Sequence, residues 1–128
     1  MKTERAVSVI CAVSAAYDGL LGAAFLIAPA ALYTASGVTP PNHWGYVQFP
    51  ACILVIFGLM FYAVAIKPKA NRNLIPYGIL LKLAYSGIVF AYWFTQGLPD
   101  LWKPFAVIDA VSVVLFAWAW MRLGAPEP

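Results

Sequence analysis

Long apolar runs separated by short polar segments organise the whole sequence. The runs cover approximately residues 6–27, 45–66, 74–95 and 104–121. A helix of about 20 residues crosses the apolar part of a bilayer, because each residue adds about 1.5 Å of length. The pattern therefore predicts an all-α fold, in which a bundle of four transmembrane helices takes up residues 1–128 as one membrane domain.

The connections between these runs contain proline, glycine and charged residues, which break helices or favour water. Two of the connections are short. The first, residues 28–43, is longer, and a short interfacial helix is expected in it over residues 29–35 because proline is tolerated in a first helical turn. The face that carries Leu32 and Tyr33 is expected either to lie on the membrane or to cap the bundle.

The composition agrees with this architecture and excludes a soluble globular domain. Hydrophobic residues make up 63% of the chain, charged residues only 10%, and the mean hydropathy is +0.81. About a quarter of the residues in a soluble domain carry charge. The net charge of +3 comes from lysines and arginines scattered at helix ends rather than gathered on one face. We therefore expect the lipid bilayer as a partner and no nucleic acid.

The basic residues predict the orientation in the membrane. Lys103 lies on one predicted side of the membrane. The other basic residues outside the spans all lie on the opposite side: Lys2, Arg5, Lys67, Lys69, Arg72 and Arg122. Segments rich in Lys and Arg stay in the cytoplasm. We therefore expect both termini to be cytoplasmic and the protein to be a multi-pass protein of the inner (plasma) membrane. Residues 6–27 exceed the apolar core of a signal peptide, so they are expected to form the first membrane helix.

Three ionisable residues, Asp18, Lys82 and Asp109, lie inside the predicted spans. An Asp or Lys at the centre of a span costs about 2.5–3.5 kcal/mol, which consumes most of the roughly 3–5 kcal/mol that the apolar residues of the first run contribute. The helical rise places Asp18 about 18 Å and Asp109 about 20 Å from the inner edge of the membrane, and the Lys82 stem reaches up from about 12 Å. A meeting of the three side chains is therefore expected.

Two acids that share one base in a low-dielectric medium cannot both stay ionised at low cost, so one of them is expected to hold a proton. Such a group titrates as a coupled unit, which suits a proton relay or a proton-coupled binding site. Helical spacing places small and polar residues on the same inward faces: Ser14 and Gly22 with Asp18, Gly78 and Ser86 with Lys82, and Ser112 with Asp109. The alternative is that the three charges only fix helix packing.

Two further polar residues are candidates for the outer entrance of such a site. His43 precedes the second run, and Gln48 follows one turn into it. His43 suits a pH-sensing or gating role, or it is a surface side chain that forms a hydrogen bond. Gln48 is expected to form a hydrogen bond near the outer end of the bundle.

No residue pattern in the chain predicts a cofactor or a metal site. The cysteines, Cys11 and Cys52, lie inside apolar runs without CxxC spacing, and a single histidine cannot provide two haem ligands. No nucleotide-binding, zinc-protease or serine-nucleophile motif occurs. Aromatic residues make up 16% of the chain, and they could line a pocket for a lipid-like or isoprenoid molecule or simply pack the bundle.

In size and in the order of its apolar runs, the chain resembles small bacterial four-helix membrane proteins of the DoxX-like group. The resemblance covers the whole chain as a hydropathy pattern and includes no diagnostic motif. It therefore implies the four-helix architecture and assigns no role to any residue.

Three functions fit these features. The first is binding or transport of a small molecule or proton at the Asp18, Lys82 and Asp109 site, for which a hydrated crevice is expected. The second is a structural role as an accessory subunit of a larger membrane complex, or a homo-oligomer, with a flat apolar face. The third is a membrane-embedded isomerase or cyclase for a lipid-like substrate, with an acid at the end of a closed apolar pocket.

Overall fold

The computed structural model describes residues 2–124. Five α-helices follow one another: α1 (Lys2–Ile27), α2 (Pro29–Ser36), α3 (Gly45–Ile66), α4 (Ile75–Trp93) and α5 (Lys103–Leu123). Short 3-10 turns, Arg72–Leu74 and Asp100–Trp102, lead into α4 and α5. No strand occurs in this part of the chain, so the predicted all-α fold is confirmed.

Four segments are long and apolar enough to cross a membrane: Lys2–Ile27, Gly45–Ile66, Arg72–Trp93 and Asp100–Leu123. Their outward faces carry apolar side chains such as Val13 (65% exposed) and Leu20 (72% exposed), which suit a lipid environment better than water. These features indicate a multi-pass membrane protein.

The helix ends differ by a few residues from the predicted runs. The α1 helix begins at Lys2 rather than at residue 6. The predicted run counted only apolar residues, and the first helical turn carries charged ones. The α4 helix ends at Trp93 rather than at residue 95. There Gly97 adopts a φ of +78° and donates its N–H to the carbonyl of Tyr92 across 2.6 Å, which closes the helix end.

The short helix predicted over residues 29–35 is confirmed as α2, and it caps the bundle. Its Tyr33 side chain is only 8% exposed. The Tyr33 ring lies edge-on to the rings of Phe25, Trp44 and Trp102, with centroid distances of 6.4, 5.1 and 5.8 Å. The Gly37 backbone ends the helix with a φ of +67°. Aromatic contacts therefore hold α2 over one end of the bundle.

Glycine residues allow α1 and α3 to pack closely against each other. The α1 helix packs mainly on α3, and α4 packs mainly on α5. A Cβ atom added at Gly22 would lie 2.6 Å from the Ala51 carbonyl oxygen, and one at Gly58 would lie 3.0 Å from the Gly19 nitrogen. The two antiparallel backbones therefore approach each other as closely as glycine allows.

The antiparallel order brings the basic residues named above to one end of the bundle, here termed the basic end. An apolar core near this end contains Phe61 and Phe116, whose rings stack with centroids 4.9 Å apart. Arg72 ties the loop to α5: its Nε and Nη2 atoms donate to the Trp120 carbonyl across 2.9 and 2.7 Å. The guanidinium also lies 3.6 Å over the Trp120 ring. A second apolar cluster, around Phe25 and Tyr33, lies at the opposite end, and the buried charges lie between the two.

Candidate functional site

The predicted meeting of three ionisable residues is present in the structure. Lys82 on α4 donates through Nζ to Oδ1 of Asp18 on α1 across 2.7 Å and to Oδ1 of Asp109 on α5 across 3.1 Å. The three residues are 1%, 0% and 6% exposed, respectively. We call Asp18, Lys82 and Asp109 the buried triad. It joins three helices through two ion pairs.

The faces predicted to point inward do so on two of the three helices. Ser14 and Gly22 are buried with Asp18 on α1, and Gly78 and Ser86 are buried with Lys82 on α4. On α5 the prediction fails for Ser112, whose hydroxyl donates to the Ile108 carbonyl across 2.8 Å at the helix surface. Ser86 forms the same kind of bond, to the Lys82 carbonyl across 2.6 Å, and is buried, so the difference is that Ser112 lies outside the buried face of α5.

The triad leaves polar atoms without a partner. It contains two carboxyl groups and only one ammonium group, so its charges do not balance if both acids are ionised. The Oδ2 atom of Asp18 is buried and accepts no hydrogen bond from the described residues. The hydroxyl of Tyr17, the preceding residue, is also buried and unpaired in this part of the chain. Buried polar atoms are seldom left unpaired, so both atoms are candidates for ligand contacts.

Aromatic rings surround the ammonium group of Lys82. Its Nζ atom lies 5.2 Å from the centroid of the Tyr17 ring and 5.7 Å from that of Phe61. Both distances are within the range of cation–π attraction. The Lys82 side chain is therefore held at the level of the two acids and does not extend to the basic end.

A cavity of about 380 Å³ lies between the triad and α2. Asp18 and Asp109 form part of its wall, and most of the remaining wall is aliphatic or aromatic. All four long helices and α2 contribute to it, with Leu21, Leu54, Leu81, Tyr85 and Phe105 among the lining side chains. We call this cavity the apolar pocket. It is large enough to hold a small organic molecule.

The end of the pocket away from the triad is aromatic. Phe25, Tyr33 and Trp102 line it, and the Tyr85 hydroxyl donates to the Trp102 carbonyl across 2.9 Å, which ties α4 to the turn before α5. Burial raises the pKa of the Tyr33 phenol, so this group stays neutral at physiological pH. Pro50 of α3 also lines the pocket and has no N–H to donate to the Tyr46 carbonyl.

His43 and Gln48, the candidates for the outer entrance, both bond to backbone groups at the α2 end of the bundle. The Nδ1 atom of His43 accepts the N–H of Gly45 across 2.9 Å, and its ring lies 6.4 Å from that of Tyr46, which lines the pocket. The Gln48 amide donates to the Leu26 carbonyl across 3.2 Å, near the end of α1. Neither residue lines the apolar pocket itself.

The pocket is the feature that sequence reasoning did not locate. Aromatic residues pack membrane bundles with or without a ligand, so their abundance does not locate a pocket, and only the position of Tyr17 next to Asp18 in the chain indicates a ring at the acids. Within the described residues no group of three or more His, Cys, Asp and Glu side chains could hold a metal ion. Both cysteines are free thiols, Cys11 buried and Cys52 half-buried.

Comparison with known proteins gives no match: no family model matches the sequence, and no curated protein or solved structure is significantly similar to it.

Proposed function

We propose that the protein binds a small amphipathic molecule inside the membrane, with the ligand's apolar part in the apolar pocket and its polar end on the buried triad. The observation that carries this proposal is that Asp18 and Asp109, both held by Lys82, line a largely apolar cavity of about 380 Å³. Small-molecule sites commonly have this character, an apolar cavity with a few polar groups that orient the ligand.

The polar end of the ligand is expected to donate hydrogen bonds, as a hydroxyl or an ammonium group does. Two carboxyl groups face one ammonium, and Asp18 Oδ2 has no donor among the described residues. A donor placed there would supply the missing hydrogen bond, and a cation would also balance the charge. A carboxylate at the same place would meet two acids and is expected to be rejected.

The pocket favours binding over a water-filled transport path. A hydrated crevice would need polar groups along its length, whereas the lining between the triad and α2 is mainly aliphatic and aromatic. Arrival of a ligand changes the field around two acids and one base, so uptake or release of a proton on binding is part of the proposal.

A second candidate is a membrane-embedded isomerase or cyclase for a lipid-like olefin. The observation that favours it is the position of the acids at one end of the pocket, near the Tyr17 and Phe105 rings, whose centroids lie 6.3 Å apart. A protonated acid could donate to a double bond, and aromatic faces stabilise a carbocation. Conversion of an added isoprenoid olefin by the purified protein would support this candidate over simple binding.

We also propose that both termini and the basic end face the cytoplasm in an inner (plasma) membrane, on the strength of the Lys and Arg distribution. Reporter fusions after residues 37, 67 and 97 test this orientation. The size of the chain and its four long apolar helices also support membership of the DoxX-like group.

The experiment that tests the binding proposal compares decylamine, decanol and decanoate, which share one apolar chain. With the protein in bilayer discs, we expect the amine and the alcohol to raise the unfolding temperature and decanoate to have no effect, because only ligands that bind the folded state stabilise it. Leu21→Trp, which fills the pocket, should abolish the shift. Leu20→Trp, on the lipid-facing side of the same helix, should preserve it. Equal shifts with all three compounds would contradict the proposal.

A further inference from the structure

A shallow groove separate from the apolar pocket runs along the outer surface between α1 and α5. Its apolar part is lined by Val9, Ile10, Val114, Leu115 and Trp118. Val9 and Val114 are 56% and 68% exposed, so these side chains face away from the core of the bundle. A groove of this kind on a membrane-spanning surface is suited to an acyl chain.

Two cations stand at the end of this groove. Lys2 and Arg5 line it together with the apolar residues. They lie three positions apart in the first turns of α1, so they share one helix face. On α5, Arg122 lies one turn beyond Trp118 and two turns beyond Val114, so helical spacing places it on the α5 face that borders the groove. Positive charge therefore gathers where the apolar groove reaches the basic end.

The position of Trp118 fits the same arrangement. Tryptophan prefers the boundary between acyl chains and headgroups, since its ring is apolar and its N–H is polar. Trp118 is 37% exposed and lies between the apolar stretch and the basic end. The groove thus presents, in order, an acyl-chain surface, an interfacial ring and a cluster of cations.

We propose that this groove binds an anionic phospholipid, with the phosphate on Lys2 and Arg5, assisted by Arg122, and one acyl chain along Val9 and Val114. Charge complementarity selects the occupant, because a zwitterionic lipid offers the same chains without net negative charge. Basic residues next to a span bind anionic headgroups in this way. The site is independent of the apolar pocket and of the function proposed for it.

Native mass spectrometry tests the proposal on the full chain, extracted with a mixture of phosphatidylglycerol and phosphatidylcholine. We expect one phosphatidylglycerol molecule to be retained. Lys2→Gln with Arg5→Gln should lower its retention about thirtyfold, as loss of two lipid-binding cations implies. The control Lys67→Gln with Lys69→Gln removes the same charge at the same end outside the groove and should retain the lipid.

The apolar part of the groove is tested separately. Val114→Trp, which fills the groove, should displace the lipid, whereas Leu80→Trp on the exposed face of α4 should not. Equal retention of both lipids, or equal losses in both charge pairs, would overturn the proposal, because either result describes an unspecific surface. Full displacement by inorganic phosphate would also overturn it, since the acyl chain would then contribute nothing.

Discussion

The Nζ atom of Lys82 on α4 lies 2.7 Å from Oδ1 of Asp18 on α1, and each of the two side chains is only 1% exposed. This contact joins helices that are far apart in sequence, and Asp109 adds α5 through the same ammonium group. Because all three groups are buried, removing one partner leaves a charge in a low-dielectric setting without compensation. The triad can therefore be probed by removing its charges singly or together.

Lys82→Ala should be the most damaging single change in the triad. It leaves Asp18 and Asp109 facing each other without a base, and breaking a buried ion pair typically costs about 3–5 kcal/mol. Asp18→Asn and Asp109→Asn should cost less, since Lys82 keeps one acid partner in each case. Unfolding in detergent measures the differences. The control is Asp100→Asn, which breaks the pair with Lys103 at a side chain that is 93% exposed and should cost much less.

Close packing of α1 on α3 makes Gly22 intolerant of a side chain. Gly22→Ala would place a methyl group 2.6 Å from the Ala51 carbonyl oxygen, so the backbones must separate, at a cost of about 1–3 kcal/mol. Gly87→Ala in α4 meets nothing within 4 Å and should stabilise by about 0.5–1 kcal/mol, since glycine is a poor helix residue. Thermal unfolding of the two variants compares them directly. A loss of stability in both would mean that helix packing does not distinguish the sites.

Replacement of Arg72 by lysine should destabilise the protein although the charge is kept. Arg72→Lys loses one of two hydrogen bonds to the Trp120 carbonyl and the flat stack on the Trp120 ring, which an ammonium group cannot reproduce. A loss of about 1.5–3 kcal/mol is expected, together with faster amide hydrogen exchange in residues 67–74. Arg122→Lys, a change at an exposed position of α5, should leave both quantities unchanged in a zwitterionic detergent.

The aromatic ring of Tyr33 should contribute more to the stability of the fold than its hydroxyl group does. Tyr33→Ala removes the centre of the aromatic contacts under α2 and should cost about 3–5 kcal/mol, whereas Tyr33→Phe keeps the ring. Burial raises the pKa of Tyr33 above its unfolded value of about 10. The stabilisation from the buried, neutral phenol is therefore fully present below about pH 10 and is lost at higher pH. Unfolding measured against pH should show a steeper alkaline decline in the native protein than in Tyr33→Phe.

Much of the fold follows from the sequence because a helix that crosses the bilayer has a known direction, which fixes the depth of each of its residues in the membrane. Helical rise gives the depth of each residue in a span, and depth alone was enough to bring Asp18, Lys82 and Asp109 to one level. The α2 helix was also predictable, from Pro29 at its start. What depth does not give is the rotation of each helix about its axis. The pairing of α1 with α3 and the position of the apolar pocket depend on that rotation.

The surroundings of the other polar residues could be predicted from the sequence only in part. Ser112 has the spacing to join Asp109 but lies outside the buried face of α5. The hydrogen bond predicted for Gln48 and the one weighed for His43 are both present at the α2 end of the bundle, and in each case the partner is a backbone group. A sequence shows that such a side chain can form a hydrogen bond, but the choice of partner depends on short-range geometry. In the sequence Arg72 indicates only the topology, because its hydrogen bonds to the Trp120 carbonyl depend on how the loop packs on α5.

The central claim, that the triad receives a ligand rather than only holding helices together, is tested most directly by decylamine binding to a charge-free variant. Asp18→Leu, Lys82→Met and Asp109→Leu combined remove all three charges, and apolar residues of similar volume in place of a buried charged set are often neutral or stabilising for the fold. We predict that the native protein in bilayer discs binds radiolabelled decylamine saturably, and that the folded triple variant does not. Equal saturable binding by both proteins, or none by either, would contradict the claim and leave the triad as a packing element.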